Sequence, residues 1–190
     1  EEKVKPIEKG ETEPHSKAGK HFGIDISRVK AESTGGRKLW NLIIHHGTGM
    51  IWSQYLKNKS KLKERMIPFI KDDIWAKTKY TAKYIRCDNA GENKKFEEES
   101  KKEGLGIHFE YMARSTPKQN GKVEHMFPML YGRMHAMLRR CGLNKNKRLK
   151  NKLWAECANL ATQLETILVK EHNEKCSYEK FYRELPKWLI

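Results

Sequence analysis

Long apolar runs are missing from this sequence. Hydrophobic residues come in short pieces, as at Leu42–Ile44, and the mean hydropathy is −0.86. That excludes a transmembrane helix and the apolar stretch of a signal peptide. Cysteine is scarce, and Cys87, Cys141, Cys157 and Cys176 include no Cys-x-x-Cys pair. Neither a disulfide framework nor a zinc knuckle is expected, and the thiols read as reduced groups of an intracellular compartment. Glycine and proline follow no period, which excludes a collagen-like chain. Acidic residues are the remaining deficit: 24 Asp and Glu face 39 Lys and Arg among 190 residues, a formal charge of +15. The length fits one ordinary domain with a real core. Charge of this sign and size makes a polyanion the first partner to consider.

What is present is unevenly placed. Between residues 112 and 155 stand eleven basic residues, from Arg114, Lys118 and Lys122 to Lys150 and Lys152, and a single acid, Glu124. Such a segment reads as a phosphate-binding face, and a solvated lysine-rich surface is the plainer alternative. The lone carboxylate within that field invites a chemical explanation.

Residues 1–19 mix charges with Pro6, Pro14 and Gly10 and show no periodicity, so an extended or disordered leader is expected. Residues 21–27 alternate, with Phe22, Ile24 and Ile26 on one side and Gly23, Asp25 and Ser27 on the other, as in a strand. Turn signals at Gly35-Gly36 and Gly47-Thr-Gly49 separate two further strands, 39–46 and 50–56, giving an antiparallel meander. A helix is expected over 60–76 despite Pro68, then a strand at 83–87, a helix at 93–102 and a strand at 107–111. A polar loop at 115–121 leads to a long helix with Val123, Phe127, Leu130, Met134 and Met137 at helical spacing. A basic linker from 144 to 152 precedes a last long helix, 153–169. The expected architecture is therefore α/β, a five-stranded mixed sheet flanked by helices. Its core spans 20–143, with residues 144–190 as a basic and helical extension.

Three carboxylates could carry chemistry. Asp25 is unusual in mid-strand, though an edge strand could expose it to water. Asp88 follows a strand in Asp88-Asn89-Ala-Gly-Glu92, where it could equally form a turn or cap a helix. Glu124 falls in the first turns of a helix, where the macrodipole favours an acid. Together, ringed by cations, they suit phosphoryl transfer by two divalent ions about 4 Å apart. Oxygen ligands favour Mg²⁺, and without a cation such neighbours raise one another's pKa.

On these residues the chain resembles the integrase catalytic core of copia-type LTR retrotransposon polyproteins, in the retroviral-integrase part of the RNase H-like superfamily. The resemblance rests on Asp25 in Ile-Asp-Ile, Asp88 in Asp-Asn-Ala-Gly-Glu, and Glu124 in Gln119-Asn120-Gly121-Lys-Val-Glu, with 35 residues between Asp88 and Glu124. Further matches are the segment 52–59, Thr116-Pro117, the segment 153–158 and Ser177-Tyr-Glu179. The resemblance spans roughly residues 20–188. It implies an RNase H-like core whose Asp25, Asp88 and Glu124 bind two Mg²⁺ or Mn²⁺ ions when DNA is bound and catalyse strand transfer. It implies that Gln119, Asn120 and Gly121, with Lys118, Lys122 and Arg133, meet DNA, and that Glu92 and Asn89 support the ligands. Double-stranded DNA (element ends and target) is the implied partner, in a homodimer or higher oligomer acting in the nucleus after passage through cytoplasmic virus-like particles.

The chain also departs from the resemblance. His45-His46 stands where two acids are usual, and Glu124 is followed by His125-Met-Phe-Pro128 in place of basic residues. Pro128 lies four residues past Glu124, so a kink in the helix is expected at a cost of roughly 3 kcal/mol. These departures keep two alternatives open: a non-catalytic nucleic-acid-binding remnant of the fold, or a nuclease that uses water as nucleophile.

Overall fold

The computed structural model describes residues 20–112, 121–143, 145–169 and 174–187. Five strands form one sheet: β1 (His21–Arg28), β2 (Leu39–His45), β3 (Ile51–Leu56), β4 (Tyr84–Asp88) and β5 (His108–Met112). Their order is β3-β2-β1-β4-β5. The first three pair antiparallel, and β4 and β5 add on parallel to β1. The meander and the later strand–helix alternation are those expected from the sequence. The leader expected over 1–19 and most of the loop at 115–121 lie outside the described residues.

Alternation along the strands builds two apolar clusters, one on each side of the sheet. Phe22 and Ile24 of β1, Ile43 of β2 and Ile85 and Cys87 of β4 face one cluster. It is covered by α1 (Leu62–Pro68), α3 (Gly91–Lys102) through Phe96, and α7 (Ser177–Tyr182) through Phe181. Trp40, Leu42 and Ile44 of β2 face the other, covered by α4 (Gly121–Arg140) and α6 (Trp154–Ile167). All seven residues of β2 are buried, as a central strand covered on both faces requires. On this second face β1 offers Gly23, Asp25 and Ser27 instead of apolar side chains. Among the described residues, no helix is long and apolar enough to cross a membrane.

Two prolines sit inside helices, with different outcomes. After Pro68 the chain turns as a π-helix over Phe69–Trp75 and closes with one α-helical turn, α2 (Ala76–Thr78). Proline cannot donate to the helical ladder and crowds the carbonyl four residues back. The ladder shifts beyond it, so that the N–H of Ala76 reaches the carbonyl of Lys71, five residues earlier. Around Pro128, where a kink is expected, α4 stays helical through all of its 20 residues. Both prolines are exposed, so exposure does not account for the difference. The buried stripe of α4 is Val123, Phe127, Leu130, Met134 and Leu138, with Met137 only partly buried beside it. The basic segment expected as a linker folds in part as the short helix α5 (Lys147–Lys152).

Replacing Pro128 with Ala restores an N–H donor and removes the steric conflict. Pro128→Ala is expected to stabilise the protein by about 1–3 kcal/mol, read as a higher urea midpoint at unchanged m value.

Candidate active site

Asp25 lies on the α4 side of β1, between Gly23 and Ser27. The parallel register of β1 and β4 pairs His21 with Tyr84 and Gly23 with Arg86. Continued by two residues, it sets Asp25 beside Asp88, the last residue of β4. Same-side neighbours on adjacent parallel strands are close, because strands lie about 4.8 Å apart. Glu124 joins them from above, in the first turn of α4.

That turn is held close to the sheet by a glycine. A methyl group on Gly23 would stand 2.9 Å from Cγ2 of Val123, 2.8 Å from Nε2 of His46 and 3.2 Å from Cγ2 of Ile44. No other residue leaves room for α4 at this height. Further along, the hydroxyls of Ser27 and Tyr131 meet at 3.0 Å, and Trp40 packs edge-on against Phe127 and Tyr131. At its start, the ammonium of Lys122 donates to the carbonyl of His46 at 3.1 Å. The helix thus follows β1 with Glu124 one residue past its closest contact.

The electrostatics report the same grouping. Partial burial pushes the Asp25 carboxyl above its ordinary value of 3.8, and the negative charges of Asp88 and Glu124 push it further the same way. The backbone N–H of Ile26, which donates to Asp25 Oδ1 at 2.8 Å, and the charge of Lys59 oppose the rise. Asp25 therefore senses both partners that the sequence pairs with it. Asp88 is oriented by Asn93, a buried residue whose side-chain amide donates to Asp88 Oδ1 at 2.6 Å and to its carbonyl at 3.1 Å.

Other expected residues are placed differently. Glu92 is ion-paired with Lys59, the cation whose charge acts on Asp25. Asn89 is exposed in the bend after β4. Arg133, expected to meet DNA, turns to α6 and pairs with the buried Glu165. Lys118, Gln119 and Asn120 lie outside the described residues, and Gly121 is seen only as the first residue of α4. The His45-His46 turn is structural. Nδ1 of His45 lies 2.9 Å from Thr48 Oγ1 and accepts the Thr48 N–H at 3.1 Å, with its ring against Phe22 and Phe181.

Sequence reasoning missed Gly23, Asn93 and Lys59 as parts of the site. A glycine inside an alternating strand was a usable signal for close approach. Lys59 closes the matching segment 52–59 but carried no role there, and nothing marked Asn93 beforehand.

Carboxylate oxygens held near one another and relieved by positive charge suit a hard divalent cation. Among the described residues, no three His, Cys, Asp or Glu side chains converge tightly enough to enclose one ion. The donor chemistry fits Mg²⁺ or Mn²⁺, and full enclosure requires Glu124 and the aspartates to close further.

The chain matches no family model and no curated protein in sequence. Solved structures do resemble it. The catalytic core domain of BIV integrase superposes with a TM-score of 0.61 at 16% identity, over 86% of this chain and 93% of that one. The fold is that of an integrase catalytic core. A chain of the simian T-cell lymphotropic virus intasome, solved in complex with a PP2A regulatory subunit, matches with a TM-score of 0.65 at 13% identity over 90% of this chain. This chain spans 56% of that longer one.

Two outcomes follow from this geometry. Asp25 binds its proton more tightly folded than unfolded, so stability falls as pH rises from about 3.8 through its raised value. Asp25→Asn removes that loss: the variant is expected to melt higher than the parent at neutral pH, with the gap closing at acidic pH in calorimetric scans. Gly23→Ala is expected to cost about 1–3 kcal/mol in urea unfolding by forcing α4 off β1.

Proposed function

We propose that this chain is an integrase catalytic core of the copia-type retrotransposon kind, which binds double-stranded DNA and joins element ends to target DNA in the nucleus. The observation that carries this reading is the charge coupling of Asp25 to both Asp88 and Glu124 on the α4 side of β1. It is supported by the integrase fold and by the Asn-Gly-x-x-Glu box with its spacing. In strand transfer a 3′ hydroxyl attacks a phosphodiester. A new P–O bond forms, the old bond to a 3′ oxygen breaks, and that oxygen leaves with a proton.

Asp25 and Asp88 hold their positions through the Ile26 N–H and the Asn93 amide, and Glu124 closes the set from α4. When bound, Mg²⁺ or Mn²⁺ ions supply the positive charge that activates the attacking oxygen and stabilises the leaving one. Lys122, one helical turn from the carboxylates at most, sits where it can neutralise a phosphate of the scissile strand.

Self-association belongs to the same reading. Among the described residues the outer edge of β3 has no strand partner, and β3 borders an open groove of about 1170 Å³ lined by Trp52, Gln54, Tyr55, Phe69, Asn159 and Gln163. Edge strands left open invite a partner. Sedimentation is expected to show a dimer that Tyr55→Glu disperses.

A second reading, a DNA-binding remnant without catalysis, rests on the sequence His125-Met-Phe-Pro128 in place of basic residues after Glu124. A joining assay separates the two readings. Short duplexes with Mg²⁺ or Mn²⁺ are expected to give joined products with the parent protein and none with Asp88→Asn, a loss of at least a hundredfold. Mn²⁺ at ten times its Kd is expected to stabilise the parent by about 1.4 kcal/mol and the variant by far less. Absence of both effects, with DNA binding intact, favours the remnant. Cleaved but unjoined strands would indicate the nuclease.

A further inference from the structure

The positive charge of residues 112–155 looks continuous in the sequence, but the fold divides it. At one end, Lys122 stands in the first turn of α4 beside Glu124. Midway, the Arg133 guanidinium is committed to Glu165, which is 2% exposed, and so ties α4 to α6. Among the described residues, five further cations collect at the opposite end. Arg139 and Arg140 occupy the last turn of α4 and are exposed. Lys147, Arg148 and Lys150 belong to α5.

This second cluster is built rather than trailing. The Asn146 side chain caps α5 by accepting the Leu149 N–H at 3.1 Å. The N–H and hydroxyl of Thr34, in the β1–β2 connection, both donate to the carbonyl of Lys152, at 2.9 and 3.1 Å. Lys150 and Arg139 both act on His135, whose proton affinity is lowered first by desolvation and then by their charges. The fold therefore brings α5 alongside the end of α4.

Distance makes the cluster a separate site. Sixteen residues of helix separate Glu124 from Arg140, about 24 Å at 1.5 Å per residue. At 3.4 Å per base pair, that is about seven base pairs of duplex. A membrane is the poorer match, because surface-binding helices need an apolar face, whereas α5 exposes only Leu149 among its cations.

We propose that Arg139, Arg140 and α5 form a second phosphate-binding site, which grips double-stranded DNA about seven base pairs from the carboxylates. The proposal rests on the DNA-joining reading for its orientation. It adds that a duplex lies along α4 and is held at both ends of that helix, with no net charge offered midway. Binding then depends on duplex length, since a stem too short to span both sites engages one at a time.

The test uses the full chain and hairpin-closed DNA stems of 6 and 16 base pairs. The parent is expected to bind the longer stem at least tenfold more tightly per site. Lys147→Glu/Arg148→Glu/Lys150→Glu is expected to erase that gain and lower the slope of log K against log salt on the 16-base-pair stem by about 2.7, for three lost phosphate contacts. The corresponding triple Gln variant is expected to fall between, and a parent-like circular dichroism melt of either variant shows that it folds. An unchanged length gain in folded variants overturns the proposal. So does competition by polyglutamate as effective as by duplex of equal charge, which would mark the cluster as a protein-docking surface. Joining activity is scored separately: a parent that joins no DNA but keeps the length gain loses the enzymatic reading while retaining the second site.

Discussion

The approach of α4 to β1 over Gly23 is the contact on which the rest of the site depends. The helix can lie this low only because position 23 has no side chain: a single methyl would meet Val123, Ile44 and His46 at once. The apolar stripe from Val123 to Leu138 then buries against Trp40, Leu42 and Ile44, and the Ser27–Tyr131 contact ties the helix to β1 further along. Glu124 follows Val123 directly, so the packing that seals the second core also delivers the third carboxylate. Stability and site geometry are one constraint here.

Against that packing stands a local electrostatic cost. Asp25 is partly buried and faces two further carboxylates, and each effect favours its protonated form. The chain offsets this in part with the Ile26 N–H, with Lys59 and with the Asn93 amide on Asp88. These groups orient the carboxylates without neutralising them.

The distribution of cations follows from burial as much as from composition. Arg133 is drawn into the α4–α6 interface because Glu165 is buried there and a lone buried carboxylate would be costly. That pairing interrupts the positive face of α4 and leaves two separated cationic ends. The same helix thus presents an acidic site flanked by Lys122 at its start and a strongly basic cluster at its finish.

Much of this was legible in the sequence. Alternation around Ile24, the glycine turns and the helical spacing of Val123, Phe127, Leu130 and Met134 specified the strands, the meander and the long helix, because periodic burial is a local property of the chain. The three carboxylates stood out as well, two by their position at strands and one as the lone acid among cations. Other features were decided only by tertiary structure. Pro68 and Pro128 are both exposed, yet the ladder shifts to a π turn only after Pro68, while α4 stays helical across Pro128. The partners of Glu92 and Arg133, Lys59 and Glu165, are set by the fold. Partner choice between groups distant in sequence depends on where the sheet and helices bring them, and no local pattern encodes it. The closeness of Glu124 to Asp25 has the same origin: spacing named the residues, and the missing side chain at Gly23 brought them together.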